Sequence, residues 1–346
     1  MDETRRPLTP TGLQERRVLA RRRTAVFGLN AATLALLAWA IGAALADGGW
    51  SAADAVLFAA VLVGAPWTVM GMWNALLGLW LLHFRRDGLA AAAPFLPAGE
   101  AAGPLTTRTA LAMTVRNEPP GRAFRRLADM RRALDETAHG QHFDIHILSD
   151  TSDPAIAEAE ERLFHAMRAE LGGARAHYRR RSVNTGWKAG NVREFLLGRG
   201  AGYDFYLPLD SDSFMGAGTI LAMVRIMEAH PRIGILQSLS TGMPSASLFT
   251  RALTFGARIA TRASLTGACW WHGDACFYWG HNALIRVAPF RRHCRLPVLP
   301  GRPPLGGHIM SHDLPEAALM RRAGWECRVM PVETESWEEN PPTLAD

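Results

Sequence analysis

Apolar positions along the 346-residue chain keep two rhythms. Up to about residue 84 they run together. Beyond residue 107 they come in short bursts separated by polar and glycine-containing turns. Residues 25–46 read AVFGLNAATLALLAWAIGAALA, without a charge and long enough to cross a hydrocarbon core of about 30 Å. A polar break at 47–51 follows, then a second apolar run at 55–84 that carries Pro66, Trp67, Trp73 and Trp80. This predicts two transmembrane helices within 25–84, joined by a tight hairpin. The first run is too long for the core of a cleaved signal peptide and lacks a clear small-residue cleavage site. The alternative is a buried helical hairpin in a soluble protein.

Residues 85–106 are rich in Ala, Gly and Pro and read as a linker. From 107 the pattern alternates. Strands are predicted at 109–115, 143–148, 176–180, 203–209 and 233–238. Helices are predicted at 122–136, 154–171 and 218–230, with another running to 198 after a loop at 184–191. This alternation predicts an α/β domain over 107–346, built on a mixed, mostly parallel sheet with helices on both faces. In such sheets ligands gather at the carboxyl ends of the strands.

Charge adds an orientation. The net charge is +6, and the cations crowd the first 25 residues and the segment from Arg116 to Arg132. Arg16, Arg17, Arg21, Arg22 and Arg23 precede the first apolar run and Arg85 and Arg86 follow the second, whereas the connection carries only Asp47 and Asp54. The positive-inside rule then puts both ends, including a basic segment at 1–24, in the cytoplasm. No basic-aromatic interleaving or recognition motif supports a nucleic-acid partner. The four cysteines lack metal-ligand or disulfide spacing and read as ordinary thiols of a reducing compartment. Lys188 is the only lysine. Either its site demands a compact ammonium rather than a planar fork, or one lysine survived by chance.

The polar motifs fall at predicted strand ends. Asp210-Ser211-Asp212 follows the strand YDFYLPL, where two carboxylates can face one hard cation; alternatively Asp212 or Ser213 caps the next helix. Arg116-Asn117-Glu118 and Asp150 end two other strands and could read a nucleobase and ribose, or simply form turns. Residues 184–191, NTGWKAGN, would let backbone approach a ligand and set the Lys188 charge near phosphate oxygens, or form a plain turn. Asp313 is either a general base or an N-cap that pairs with Glu316 as a capping box. Aromatic residues from Trp270-Trp271-His272 to Phe277-Tyr278-Trp279 stack in a core or line an acceptor channel. Residues 296–308 form a gate or a surface loop, and Arg251, Arg258 and Arg262 mark an amphipathic helix on a leaflet or a solvated face.

Taken in order over 107–335, Arg116-Asn117-Glu118, Asp150, Trp187-Lys188-Ala189-Gly190-Asn191, Asp210-Ser211-Asp212 and Ser311-His312-Asp313 resemble the motif series of the inverting glycosyltransferases of family 2, which have a GT-A nucleotide-sugar-binding fold. VRNEPP, ILSDTSD, RRRSVNTGWKAGN, LPLDSDSFM, FYWGHNALIR and GGHIMSHDLPEAALMRRAGWE are similar to the glucans biosynthesis glucosyltransferase H proteins. These are inner-membrane enzymes that make the β-1,2-linked backbone of osmoregulated periplasmic glucans. The resemblance implies UDP-glucose as donor, a growing glucan as acceptor, a divalent metal (Mg or Mn), and a cytoplasmic catalytic domain on the bacterial inner membrane. It implies that Asp150 contacts uridine, Lys188 the nucleotide and Asp210 the donor. Arg116, Asn117 and Glu118 then belong to the donor site, Asp212 ligates the metal, and Asp313 is the base. Trp279, Gly280 and His281 match the acceptor-lining segment. The family also carries a Gln/Arg-x-x-Arg-Trp motif and further spans beyond the point matching Asp346. The expectation is therefore a chain that lacks a C-terminal half or works with a partner, including a periplasmic glucan-processing one. Two other readings stay open: another β-glycan synthase of the family, or a silent membrane protein that binds UDP-sugars.

Overall fold

The computed structural model describes residues 10–173, 175–302 and 305–344; of the expected basic segment, residues 1–9 lie outside these. The helices are α1 (Pro10–Ala46), α2 (Ala52–Phe84), α3 (Gly88–Ala92), α4 (Pro120–Asp135), α5 (Pro154–Glu170), α6 (Trp187–Leu197), α7 (Ala217–Ala229), α8 (Leu248–His272), α9 (Val287–His293) and α10 (Asp313–Arg322). The strands are β1 (Thr109–Val115), β2 (Phe143–Ser149), β3 (Ala176–Arg180), β4 (Phe205–Leu209), β5 (Phe214–Met215), β6 (Ile233–Gly242), β7 (Ala283–Arg286), β8 (Val298–Leu299), β9 (Gly307–His308) and β10 (Glu326–Glu338). They divide into two compact units.

One unit holds Arg6–Pro94 and Phe255–Gly273. Its α1 and α2 are long and apolar enough to cross a membrane. The arginines before the first apolar run do not stop the helix, because Arg is a good helix former and α1 already begins at Pro10. Ser51 caps α2 through a reciprocal box with Asp54. Trp67, Val63 and Phe84 are more than 80% exposed. Leaving such a side chain in water rather than an apolar medium forfeits roughly 1.5–3 kcal/mol, so these faces suit lipid. Two polar side chains within the spans find partners: Trp73 Nε1 donates to Thr33 Oγ1 of α1 at 3.0 Å, and Asn30 Nδ2 to the Val26 carbonyl at 2.8 Å. Where α2 crosses α8 the backbones nearly touch. A Cβ on Gly78 would lie 1.7 Å from the Ala263 carbonyl oxygen, and one on Gly267 2.0 Å from that of Asn74. Arg22 and Arg23 donate to the carbonyls of Trp270, Trp271 and His272, satisfying the end of α8. In this unit α8 leaves Phe255, Arg258, Ile259 and Arg262 exposed.

The other unit holds Phe95–Thr254 and Asp274–Asp346. Its sheet runs in the order β3-β2-β1-β4-β7-β6-β10-β5. The first four strands are parallel, β7 is antiparallel to both neighbours, β6 and β10 are parallel, and β5 is antiparallel to β10. This is the mixed, mostly parallel sheet that the alternation predicts. Leu111 of central β1 stands in register between Ile145 and Leu207. Period-2 alternation turns small Ala110 and Ala112 into a core cluster with Val192, Phe195 and Leu196 of α6. Part of the expected linker is ordered packing: Phe95 is buried, and Gly99 lies against Ala222 and Ile226 of α7.

Candidate active site

Each parallel strand hands its chain to a polar loop at its carboxyl end. After β1, Asn117 adopts φ +51° and serves as a staple. Its Oδ1 accepts from the backbone of Ser152 and Asp153, and its amide donates to Ser152 Oγ. Its side chain is therefore committed to holding two strand-end loops together. Arg116 lays its guanidinium 4.8 Å from the Trp187 ring centroid. Glu118 accepts from Ser211 Oγ at 2.5 Å, which ties this loop to the Asp210–Asp212 turn.

Asp150, after β2, is buried and held by both oxygens. Arg181 Nε and Nη2 each donate to it at 2.6 Å. Arg181 is itself buried and also reaches the carbonyls of Thr185 and Trp187. The same guanidinium thus fixes Asp150 and the entry to α6. That helix starts at Trp187, so most of the expected 184–191 loop is helical and Lys188 rides on its first turn.

Lys188 Nζ pairs with Asp210 Oδ1. The Asp210 turn is closed by Ser213, whose backbone donates to the Asp210 carbonyl and whose hydroxyl accepts from the Asp210 amide. α7 is capped by Gly216 without a side-chain bond, so neither Asp212 nor Ser213 is spent as a helix cap. Burial, then the Asp210 charge, raises the Asp212 carboxyl above the usual range. Two carboxylates that resist sharing negative charge, with Asp212 in no salt bridge among the described residues, fit a divalent ion. Among the described residues no third His, Cys, Asp or Glu completes a protein-only cage.

Gln237 of β6 grips the 279–282 turn. It accepts from Trp279 N at 2.9 Å and donates to the His281 carbonyl at 2.9 Å. The turn needs Gly280 at φ +84°. A Cβ placed there would meet Asp313 Cβ at 3.6 Å, His312 Cε1 at 3.9 Å and Lys188 Nζ at 4.0 Å. Asp313, Lys188 and, through it, Asp210 therefore converge. Next to them His281 Nε2 lies 3.4 Å from Glu338 Oε2. Burial lifts the Glu338 carboxyl above its ordinary range; His281 opposes this, and Asp212 and Asp210 add to it.

Two expectations change. Asp313 is the first helical residue of α10 rather than its N-cap, which is His312. Glu316 closes no capping box: it is buried and bonds His312 Nδ1 at 2.9 Å, a partner the three-residue spacing concealed. Trp270, Trp271 and His272 end α8 in the helical unit; Trp271 is buried and donates to Asn74 Oδ1 at 2.9 Å. Residues 296–308 contain the β8–β9 hairpin, with 303–304 outside the described residues. Sequence reasoning missed Arg181 and Glu338. Arg181 hides in a run of three arginines and lies just beyond the end of β3, so nothing local marks it as buried.

The family model of glycosyl transferase family 2 matches residues 112–294, more than half of the chain. The chain belongs to this family. Its family 2 domain is similar to proteins named glucans biosynthesis glucosyltransferase H. With that of Bradyrhizobium diazoefficiens it shares 40% identity over 86% of this chain and 39% of the relative. With that of Rhodopseudomonas palustris it shares 38% over 94% and 45%, and with that of Xanthomonas campestris pv. campestris 38% over 94% and 50%. The chain thus spans half or less of the length of these relatives.

Proposed function

We propose that this family 2 domain transfers glucose from UDP-glucose, with inversion, to a growing β-1,2-glucan at the cytoplasmic face of a bacterial inner membrane. α1 and α2 cross the bilayer in this reading, with the arginine-rich flanks inside. The names and identity of the relatives support the product class. The observation that carries the chemistry is the convergence of Asp313, Lys188 and Gly280 beside the Asp210–Asp212 turn.

Asp313 accepts the proton of an acceptor hydroxyl as that oxygen bonds to the anomeric carbon. The bond from this carbon to the β-phosphate oxygen breaks on the opposite face, and UDP departs with the electron pair. Lys188, exchanging Asp210 for the diphosphate, balances the charge that grows there. A divalent cation held by Asp210 and Asp212 would supply Lewis-acid stabilisation of the same leaving group. Asp150 acts through Arg181, which sets the start of α6 and hence Lys188. Trp279 and His281 border the acceptor. The test is UDP release by the purified protein with UDP-glucose and a glucan primer, with linkage analysis of any polymer. UDP-glucose binding without release, across Mg²⁺ and Mn²⁺, would leave a sugar-nucleotide-binding protein instead.

A further inference from the structure

The four parallel strands have a second rim, at their amino ends, which the transfer chemistry does not use. Four consecutive entries gather there. Arg108 precedes β1, Gln141 precedes β2, Arg175 precedes β3 and Tyr203 precedes β4; Arg199 follows α6 on the way to β4. Together with His177 and Asp144 they line a cleft of about 490 Å³, within the size range of small-molecule sites.

Its charge is unbalanced. Asp144 is buried and already accepts from Arg108 at 2.6 Å and from the Tyr203 hydroxyl at 2.7 Å. Arg108 also stacks on the Tyr203 ring, 5.1 Å from its centroid. Arg175 donates to the Gln141 carbonyl, and Arg199 meets His177 Nδ1 at 2.7 Å. Among the described residues neither Arg175 nor Arg199 pairs with a carboxylate. Behind them His177 stacks on the buried His146, with ring centroids 4.7 Å apart. His146 bonds Tyr203, so the floor is rigid. A guanidinium placed against a neutral imidazole in a preformed cleft is a cation without its counter-ion.

We propose that this rim binds a dianionic phosphate group, gripped by Arg175 and Arg199 and oriented by Arg108 above the Tyr203 and His177 rings. Planar forks suit phosphate oxygens bidentately, and aromatic walls leave room for an organic remainder. The occupant is a soluble phosphate ester or diphosphate, or a lipid headgroup with a terminal phosphate. The site lies at the opposite strand ends from the proposed catalytic carboxylates, so a bound donor does not fill it.

His177 reports on the site. Its charged form is disfavoured first by burial and then by Arg199, with Arg168 and Arg108 adding to that and Asp144 opposing it. An anion on Arg199 relieves part of the repulsion, so the imidazole should titrate at higher pH when the cleft is filled. The experiment follows the His177 ring resonance in selectively labelled full-length protein, assigned by His177→Gln, with UDP saturating the catalytic rim. In phosphatidylcholine nanodiscs, millimolar pyrophosphate should move the titration upward. Phosphatidic acid nanodiscs without pyrophosphate test the lipid source. Movement in the first arm assigns a soluble phosphate and movement in the second a headgroup; an unmoved His177 in both overturns the site. The Arg175→Gln/Arg199→Gln variant should weaken pyrophosphate binding at UDP saturation by roughly tenfold or more. Unchanged affinity in a variant that still binds UDP also overturns it. If that variant fails to fold, the wild-type titration still decides.

Discussion

At their carboxyl ends β1, β2 and β4 feed loops that carry Glu118, Asp150, Asp210 and Asp212, with Arg181 paired to Asp150 and Lys188 to Asp210. At the amino-end rim of the four parallel strands Arg108, Arg175 and Arg199 outnumber two carboxylates already bonded to Arg108, Asp144 and Asp204. One sheet therefore carries two rims of opposite sign. A donor diphosphate placed among carboxylates needs a mediating cation, whereas a phosphate placed among guanidinia needs none. Acidic residues thus mark the proposed site of phosphate departure, and basic residues mark a site of phosphate retention.

The sharpest way to break this contrast is at Asp313. Asp313→Asn should lower UDP release by about 10²–10⁴ while UDP still binds, because only the proton acceptor is removed; turnover near wild type would move the base elsewhere. Next is the buried pair behind the acidic rim. Arg181→Ala leaves Asp150 buried and unpaired, and thermal or denaturant unfolding should show a loss of about 3–5 kcal/mol. A much smaller loss would mean that water reaches Asp150.

Asp212→Asn sharpens the comparison through pH. A carboxyl raised in the folded state holds its proton more tightly there than when unfolded. Its presence therefore favours folding in acid, and this advantage is lost as pH rises through the folded value. At neutral pH without metal, Asp212→Asn should raise Tm in a thermal melt, while metal-stimulated transfer collapses. The smallest expected effect is at the other rim. Arg199→Gln should keep turnover within about twofold of wild type without added phosphate, as befits a surface position away from the reaction. A large loss there would join the two rims into one machine.

Much of this was legible in sequence, for local reasons. β1 and β3 have the expected bounds because short apolar or alternating runs end at polar residues on both sides. The apolar runs of α1 and α2 admit little else than long helices. The misreadings came where a local signal competed with a distant partner. The glycines and asparagines of 184–191 suggested a loop, yet Gly186 at φ +73° serves as the N-cap of α6. Asp313 and Glu316 had the spacing of a box, yet burial steered Glu316 to His312. The grip of Arg181 on Asp150 and the approach of Gly280 to Asp313 join segments about 30 residues apart. Only the folded sheet brings them together.

Lys188 has a practical consequence. It is the sole lysine of the chain and its ammonium stays partly accessible beside Asp210. Amine-directed reagents therefore have one side-chain target in this chain, at the proposed catalytic rim. A fluorophore or affinity tag delivered this way would sit next to the chemistry without engineering, and shielding by a bound nucleotide would turn labelling yield into an occupancy gauge.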